Sequence, residues 1–136
     1  FNSKIKLKNN QSIHFELGRS IVGQCGFLIS KILYTKKSYN KNFIVLDSGM
    51  NNLIRPALYN SKHKISNISS RSNKIEAYDI VGPICESTDT FARDYEMVES
   101  KRGDLVVIFS CGAYAESMSS NYNLRDNIKS YYSDTI

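Results

Sequence analysis

The stretch AYDIVGPICES, residues 77–87, decides the fold that this sequence predicts. Its first five residues form a mostly apolar run that is typical of a strand, and Gly82 and Pro83 end that run in a turn. Because the proline interrupts strand pairing, Cys85 and Glu86 are expected to project from a loop beyond the strand. A loop held on a rigid strand is a common position for binding and catalytic groups.

Short strand-like runs alternate with polar turns on both sides of this stretch. The predicted strands are residues 43–46, 63–68, 77–81 and 105–109, and the turns between them are DSGMNN, RSNKIE and KRGD. Strands at this spacing, with little helical periodicity, predict an all-β barrel or sandwich from about residue 25 onward. Residues 27–34 suit either a helix or a strand. Residues 88–99 are expected to be irregular or briefly helical, and Tyr131 and Tyr132 are candidates for a last edge strand.

The N-terminal segment has a different character. Residues 1–12 are rich in Lys and Asn, and residues 13–15 (IHF) form a short strand-like run that leads to Glu16 and Arg19. A strand that delivers an acid and a base at its C-terminal end matches the position of active sites in α/β barrels. The segment is therefore interpreted as the end of a preceding element rather than as a domain.

Composition excludes several classes of protein. The chain has 136 residues, a formal net charge of +5 and 41% hydrophobic residues, which suits one modest globular domain. Lysines are scattered and tryptophan is absent, so the positive charge is interpreted as solvated surface rather than a nucleic-acid groove. No apolar run approaches the roughly 20 residues that span a bilayer, and no signal-peptide pattern occurs. We therefore expect a soluble, cytoplasmic protein that binds neither nucleic acid nor membrane.

The three cysteines are Cys25, Cys85 and Cys111. They are widely spaced and include no CxxC pair, so no metal site is expected and a reducing compartment is favoured. Cys25 and Cys111 are interpreted as small buried hydrophobes. Cys85 is a candidate proton donor or nucleophile, with a buried structural role as the alternative, because the carboxylate of Glu86 beside it fits poorly in a core.

Two arginines and a tyrosine also follow apolar runs or turns. Arg19 and Arg55 could each bind a carboxylate or phosphate through a bidentate fork, and a solvated surface arginine is the common alternative. The motif RPALY, residues 55–59, predicts extended geometry at Arg55 because of Pro56, and its spacing predicts that Arg55 and Tyr59 face the same way. Tyr114 follows the run 105–109.

Five segments of the sequence together resemble the pyridoxal-phosphate-dependent decarboxylases of the alanine-racemase-like fold, and within them the diaminopimelate decarboxylases. They are ELGRSIVGQCG (16–26), LDSGMNNLIRPALY (46–59), YDIVGPICES (78–87), GDLVVIFSCGAY (103–114) and SMSSNYN (117–123). The resemblance implies a mainly β chain. Residues 20–136 would be a C-terminal Greek-key-like β-barrel or sandwich, and residues 1–19 would hold the last strand of an otherwise absent α/β barrel. The Schiff-base lysine and the phosphate-binding glycine loop of that barrel have no counterpart in this sequence.

The resemblance also implies residues that contact the cofactor, pyridoxal 5'-phosphate. Glu16 would lie against the pyridine nitrogen and keep it protonated. Gly18 would approach the phosphate with its backbone, Arg19 would lie beside the cofactor, and Tyr114 would touch the phosphate or the substrate. One departure is Leu17, because the family usually has proline there, which would fix φ in the turn.

The substrate contacts are implied in the same way. Arg55, Tyr59 and Arg19 would hold the distal carboxylate of the substrate. Glu86 would pair with its distal ammonium, and Cys85 would donate the proton that replaces CO2. In the family this Cys-Glu loop completes the active site of the neighbouring subunit, so a homodimer with shared active sites is expected.

The implied function is decarboxylation of meso-2,6-diaminopimelate to L-lysine and CO2. One alternative is a decarboxylase of another basic amino acid, such as ornithine or arginine. Another is a non-catalytic β domain that binds a partner, since the Schiff-base lysine is absent from these residues.

Overall fold

A computed structural model describes residues 4–135 of the chain. The strands are β1 (Leu28–Lys37), β2 (Asn42–Leu46), β3 (Ile65–Asn67), β4 (Ile75–Val81), β5 (Thr90–Val98) and β6 (Leu105–Ile108). They form one six-stranded sheet in the order β3-β6-β1-β2-β4-β5. Neighbouring strands are antiparallel except for β2 and β4, which are parallel. The prediction of a mainly β fold is confirmed.

The helices are short and lie between or outside the strands. They are α1 (Arg19–Val22), α2 (Arg55–Tyr59) and the 3-10 turns Gly23–Cys25, Glu116–Met118, Tyr122–Leu124 and Ser133–Thr135. Within residues 4–135, no helix is long and apolar enough to cross a membrane.

The sheet curls into a nearly closed barrel, and Tyr95 connects its two edges. The Tyr95 hydroxyl accepts a hydrogen bond from the Ile65 N–H at 2.8 Å and donates one to the Ile65 carbonyl at 3.0 Å. Since Tyr95 lies on β5 and Ile65 on β3, this side chain satisfies backbone groups at one edge from the opposite edge.

The core fills the interior of this barrel with aliphatic side chains. The most completely buried of them are Ile32, Ile44, Leu46, Leu53, Ile80, Val106 and Ile108. Leu53 lies just before α2, so the start of that helix is anchored in the core.

Residues 27–34, which suit either a helix or a strand in the sequence, lie mostly in the long strand β1. The expectation that residues 88–99 are irregular or briefly helical is wrong, because β5 occupies most of them. Its apolar alternation is interrupted at a bulge, where Arg93 and Asp94 stand opposite the single residue Asp79. Asp94 has a φ of 48° there. Charged residues are tolerated on β5 because it is an edge strand.

Two further strand predictions are wrong. Residues 13–15 form no strand in the structure, and Phe15 is 65% exposed. A strand persists only where neighbouring strands satisfy its N–H and C=O groups, and this segment is not among the six strands of the sheet. Tyr131 and Tyr132 are also outside any strand. The division into residues 1–19 and 20–136 stays a prediction.

Candidate active site

Helix α2 carries the first group of predicted site residues, Arg55 and Tyr59. Pro56 lies in the first turn, where a missing N–H costs no intrahelical hydrogen bond. Asn60 ends the helix in the left-handed conformation at φ 52°, and its N–H bonds to the Arg55 carbonyl. Arg55 is therefore helical, and the prediction of extended geometry at Arg55 is wrong because the proline begins a helix rather than ending one.

The helix places the Arg55 guanidinium between two aromatic rings. Its Cζ lies 5.1 Å from the centre of the Tyr59 ring and 5.5 Å from that of Tyr114. Both distances suit cation–π attraction, which fixes the side chain without neutralising it. The Arg55 Nε is buried and has no hydrogen-bond partner among the described residues. This arrangement provides an oriented positive charge that is suited to an anion.

Tyr114 reaches the cluster from a strained segment after β6. Its φ is 59°, and Ser110 in the same segment has a φ of 61°. Non-glycine residues in this region cost on the order of 1–3 kcal/mol each and persist where surrounding contacts hold them. The Tyr114 hydroxyl lies 3.6 Å from the point where a Cβ on Gly18 would stand, so it also borders the N-terminal turn.

Glycines allow the N-terminal turn to lie against this segment. The Gly112 N–H donates to the Gly23 carbonyl at 3.1 Å, and the Cys111 N–H donates to the Gly26 carbonyl at 2.8 Å. A Cβ on Gly112 would stand 1.9 Å from the Val22 carbonyl oxygen, so only glycine fits there. This close approach brings Gly18 to Tyr114.

The second group, Cys85 and Glu86, lies in a loop between β4 and β5. The loop closes through a hydrogen bond from the Gly82 N–H to the Asp89 carbonyl at 3.0 Å. Cys85 is exposed, as predicted, and Glu86 is half-buried. The Thr88 N–H and the Ser87 hydroxyl both donate to Glu86 Oε1, at 3.3 and 3.2 Å. These donors lower the pKa of Glu86, so the loop presents an ionised carboxylate at neutral pH.

The structure brings together Gly18, Arg55, Tyr59 and Tyr114, which form the Arg55 cluster. It does not join Cys85 or Glu86 to that cluster: within residues 4–135, no hydrogen bond, ion pair or ring contact links the two groups. Glu16 and Arg19 are exposed at the N-terminal turn. The roles of all these residues stay predictions.

The other two cysteines differ from each other. Cys25 is exposed, and its thiol donates to the Val22 carbonyl at 2.9 Å, so the interpretation of a buried hydrophobe is wrong for it. It lies at the end of a 3-10 turn rather than on the inner face of the sheet. Cys111 is partly buried, and burial raises the pKa of its thiol to about 11.

Asp89 is not among the site residues that the sequence predicts. It is 3% exposed at the end of the Cys85 loop, and its carboxylate accepts backbone hydrogen bonds. Burial raises the pKa of Asp89, against the opposing effect of those hydrogen bonds and of the positive charge on Arg125. In the sequence it is one acid in a polar run, and nothing there marks it as buried. No group of three or more His, Cys, Asp or Glu side chains is placed to hold a metal ion in the described part of the chain.

Residues 20–112 match the family model described as the C-terminal sheet domain of pyridoxal-dependent decarboxylases. The chain therefore belongs to this decarboxylase family, of which it carries the C-terminal sheet domain.

Several relatives of this chain are diaminopimelate decarboxylases. The chain is 53% identical to the diaminopimelate decarboxylase of Bacteroides thetaiotaomicron over 133 residues, which cover 98% of the chain and 34% of the relative. A crystal structure of a mutant Helicobacter pylori diaminopimelate decarboxylase with L-lysine matches with a TM-score of 0.77 at 47% identity, covering 83% of this chain and 28% of that one. An M. jannaschii diaminopimelate decarboxylase with L-lysine has a TM-score of 0.78 at 40% identity, over 81% and 25% of the two chains. The match thus spans between 25% and 34% of the length of these relatives.

Proposed function

We propose that this chain is the C-terminal part of a diaminopimelate decarboxylase, which converts meso-2,6-diaminopimelate to L-lysine and CO2. Residues 20–136 would form its β domain, and residues 1–19 would end its α/β barrel. The observation that carries the proposal is the Arg55 cluster, which stands in a chain 53% identical to a diaminopimelate decarboxylase over 98% of its length.

The charges of the two groups suit the two charges at the distal end of this substrate. Beyond its reacting end, diaminopimelate carries a second carboxylate and a second ammonium. Arg55 offers an oriented guanidinium for the carboxylate, with Tyr59 beside it and Arg19 as a further cation. Glu86, ionised at neutral pH, is the partner for the ammonium. A site with both charges discriminates strongly against a substrate that leaves one of them unpaired.

The residues present fit part of a pyridoxal phosphate site. A phosphate takes hydrogen bonds from backbone N–H groups and hydroxyls, and the Gly18 backbone and the Tyr114 hydroxyl lie side by side. Glu16 and Arg19 flank Gly18, so a carboxylate for the pyridine nitrogen and a further cation come from the same turn. When bound, the cofactor supplies the electron sink that accepts the electron pair left by departing CO2.

Cys85 would hold the proton that goes to the substrate carbon after CO2 leaves, and water would then restore the thiol. The exposed position of Cys85, in a loop not linked to the Arg55 cluster, supports a site completed across two subunits of a homodimer. Each subunit would then keep its Arg55 cluster and give its Cys85 loop to the partner. A cytoplasmic location agrees with the three free cysteines.

The test uses the full-length polypeptide that contains this chain. After addition of pyridoxal phosphate, we expect visible absorption of the protein-bound cofactor and formation of lysine from meso-diaminopimelate. Ornithine and arginine are assayed in parallel. Turnover of ornithine or arginine alone would overturn the proposed substrate, and the absence of cofactor binding would favour a non-catalytic β domain.

A further inference from the structure

The Asp89 carboxylate holds two separate backbone segments. Its Oδ1 accepts a hydrogen bond from the Met50 N–H at 2.7 Å, and its Oδ2 accepts one from the Ile84 N–H at 2.7 Å. Met50 lies in the turn between β2 and α2, whereas Ile84 lies in the loop between β4 and β5. One buried side chain therefore connects two segments that are distant in sequence.

Two glycines make room for this carboxylate. A Cβ on Gly82 would stand 2.3 Å from Asp89 Oδ2, which is too close for any side chain. A Cβ on Gly49 would stand 3.2 Å from the same oxygen and 2.8 Å from Cγ1 of Ile84. Both segments therefore approach Asp89 closely because they carry glycine at these positions. The Thr88 hydroxyl also donates a hydrogen bond to the Met50 sulfur at 3.8 Å, a further contact between the two segments.

Each segment leads directly to one group of the candidate site. Ile84 immediately precedes Cys85 and Glu86. On the other side, the turn that contains Met50 is closed by a hydrogen bond from the Leu53 N–H to the Gly49 carbonyl at 3.2 Å, and it continues into α2 with Arg55. Displacement of either segment at Asp89 would therefore move one group of site residues relative to the other.

We infer that Asp89 is a positioning residue that fixes the Cys85–Glu86 loop and helix α2 relative to each other. This inference rests on the proposed function. In the proposed dimer, a subunit contributes its Cys85–Glu86 loop to the partner's active site and keeps helix α2 in its own. Asp89 would then connect these two active sites. Asp89 acts through two peptide N–H groups and does not itself contact the substrate.

The test compares Asp89→Asn with Asp94→Asn in the full-length polypeptide. Asparagine has a single side-chain acceptor oxygen, so in Asp89→Asn an NH2 group faces one of the two N–H donors. We expect kcat to fall about a hundredfold and KM to rise about tenfold, with cofactor absorption unchanged, because small displacements of catalytic groups are costly. Asp94 is an exposed acid in β5, the strand that follows Asp89, and its side chain contacts Lys41, so Asp94→Asn is the matched control. Equal kinetics for the two variants would overturn the inference.

A second measurement separates positioning from general destabilisation. In a Cys85→Ala background, Asp89→Asn should lower kcat no further, because its effect on the rate passes through Cys85. The increase in KM should remain, since it passes through Glu86 and Arg55. The same hundredfold loss of kcat in both backgrounds would mean that Asp89 acts by another route, and the inference would be wrong.

A third measurement needs neither a variant nor activity. In the wild-type protein, the Met50 and Ile84 amides should exchange with deuterium far more slowly than the exposed Ser87 amide, because Asp89 holds both of them. Rapid exchange at either amide would overturn the inference even if Asp89→Asn does not fold. If the wild-type protein formed no lysine while both amides stayed protected, the proposed function would fail and the connection made by Asp89 would stand.

Discussion

The Arg55 cluster and the Cys85–Glu86 loop differ in how their side chains are held and in how exposed they are. In the cluster, the charged group is half-buried and held from two sides by tyrosine rings within the same chain. In the loop, the Cys85 thiol is exposed, and a backbone hydrogen bond from Gly82 to Asp89 closes the loop. The comparison indicates that the cluster is assembled within one chain, whereas the loop is built to present its groups outward. Variants of the full-length polypeptide should therefore affect the two regions differently.

The largest effect is expected for Cys85→Ala. If Cys85 gives its proton to the substrate carbon, kcat should fall about a hundredfold to ten-thousandfold, the range typical of a lost general acid. The KM and the absorption of bound pyridoxal phosphate should change little. Steady-state kinetics measure this, with Cys25→Ala as the control because that thiol is also exposed. An unchanged rate in Cys85→Ala would exclude the proton-donor role.

A smaller effect, mainly on substrate binding, is expected for Glu86→Gln. Loss of a charged partner should raise KM for diaminopimelate about tenfold to a hundredfold, because hydrogen bonds to charged groups contribute about 1.5–3 kcal/mol. Cofactor affinity should not change. Exposed Glu96 provides the control Glu96→Gln. Equal losses of substrate and cofactor affinity would contradict the assignment of Glu86 to the distal ammonium.

The pH dependence of substrate binding is a second test of the assignment of Glu86 to the distal ammonium. The Thr88 and Ser87 donors lower the pKa of Glu86, so the carboxylate stays ionised as the pH falls toward the usual glutamate value. The contribution of Glu86 to binding should therefore be complete above about pH 5 and be lost only below the usual glutamate pKa of about 4.3. The ratio of KM between Glu86→Gln and wild type, measured from pH 8 down to about pH 5, should stay constant. A ratio that falls toward one near pH 6 would contradict this.

Arg55→Lys should have a still smaller effect. Lysine keeps the positive charge but loses the planar fork and its stacking on Tyr59 and Tyr114. We expect KM to rise about tenfold with a modest change in kcat, since a bidentate contact is replaced by a point charge. Arg93→Lys, on the exposed part of β5, is the control. Identical KM values for both variants would remove Arg55 from the substrate site.

The smallest effect on activity is expected at Cys111. Since burial raises the pKa of its thiol to about 11, about one thiol in a thousand is ionised at pH 8. Alkylation of the native protein at pH 8, followed by mass spectrometry of the peptides, should therefore modify Cys111 far more slowly than exposed Cys85. The loss of activity should follow modification of Cys85. Rapid modification of Cys111 would contradict its burial.

The sequence predicted the strands with simple patterns and missed those with interrupted ones. The runs that became β2, β4 and β6 are short and largely apolar, so their burial could be predicted from their residues. In β5 the bulge at Arg93 and Asp94 breaks the alternation, and only the pairing with β4 makes the strand evident. Residues 13–15 show the opposite, because a strand-like run in the sequence forms no strand in the structure.

The sequence predicts the candidate site only in part, as it does the strands. The RPALY and GPICES motifs mark Arg55, Tyr59, Cys85 and Glu86. The extended geometry that Pro56 predicts for Arg55 is wrong, however, because Pro56 lies in the first turn of a helix. Asp89 could not be found from sequence, because its importance depends on two N–H groups that folding brings to its carboxylate. The meeting of Gly18 with Tyr114 likewise depends on close backbone packing between distant segments.

Subunit mixing tests most directly the central claim that the two groups of residues meet across a dimer. Cys85→Ala and Arg55→Ala homodimers should each be nearly inactive, and their equilibrated mixture should recover about a quarter of the wild-type activity. Half of the dimers would then be mixed, and each of these would contain one complete site out of two. Native mass spectrometry would confirm that mixed dimers form. Mixed dimers with no recovered activity would show that Arg55 and Cys85 do not serve the same site from opposite subunits.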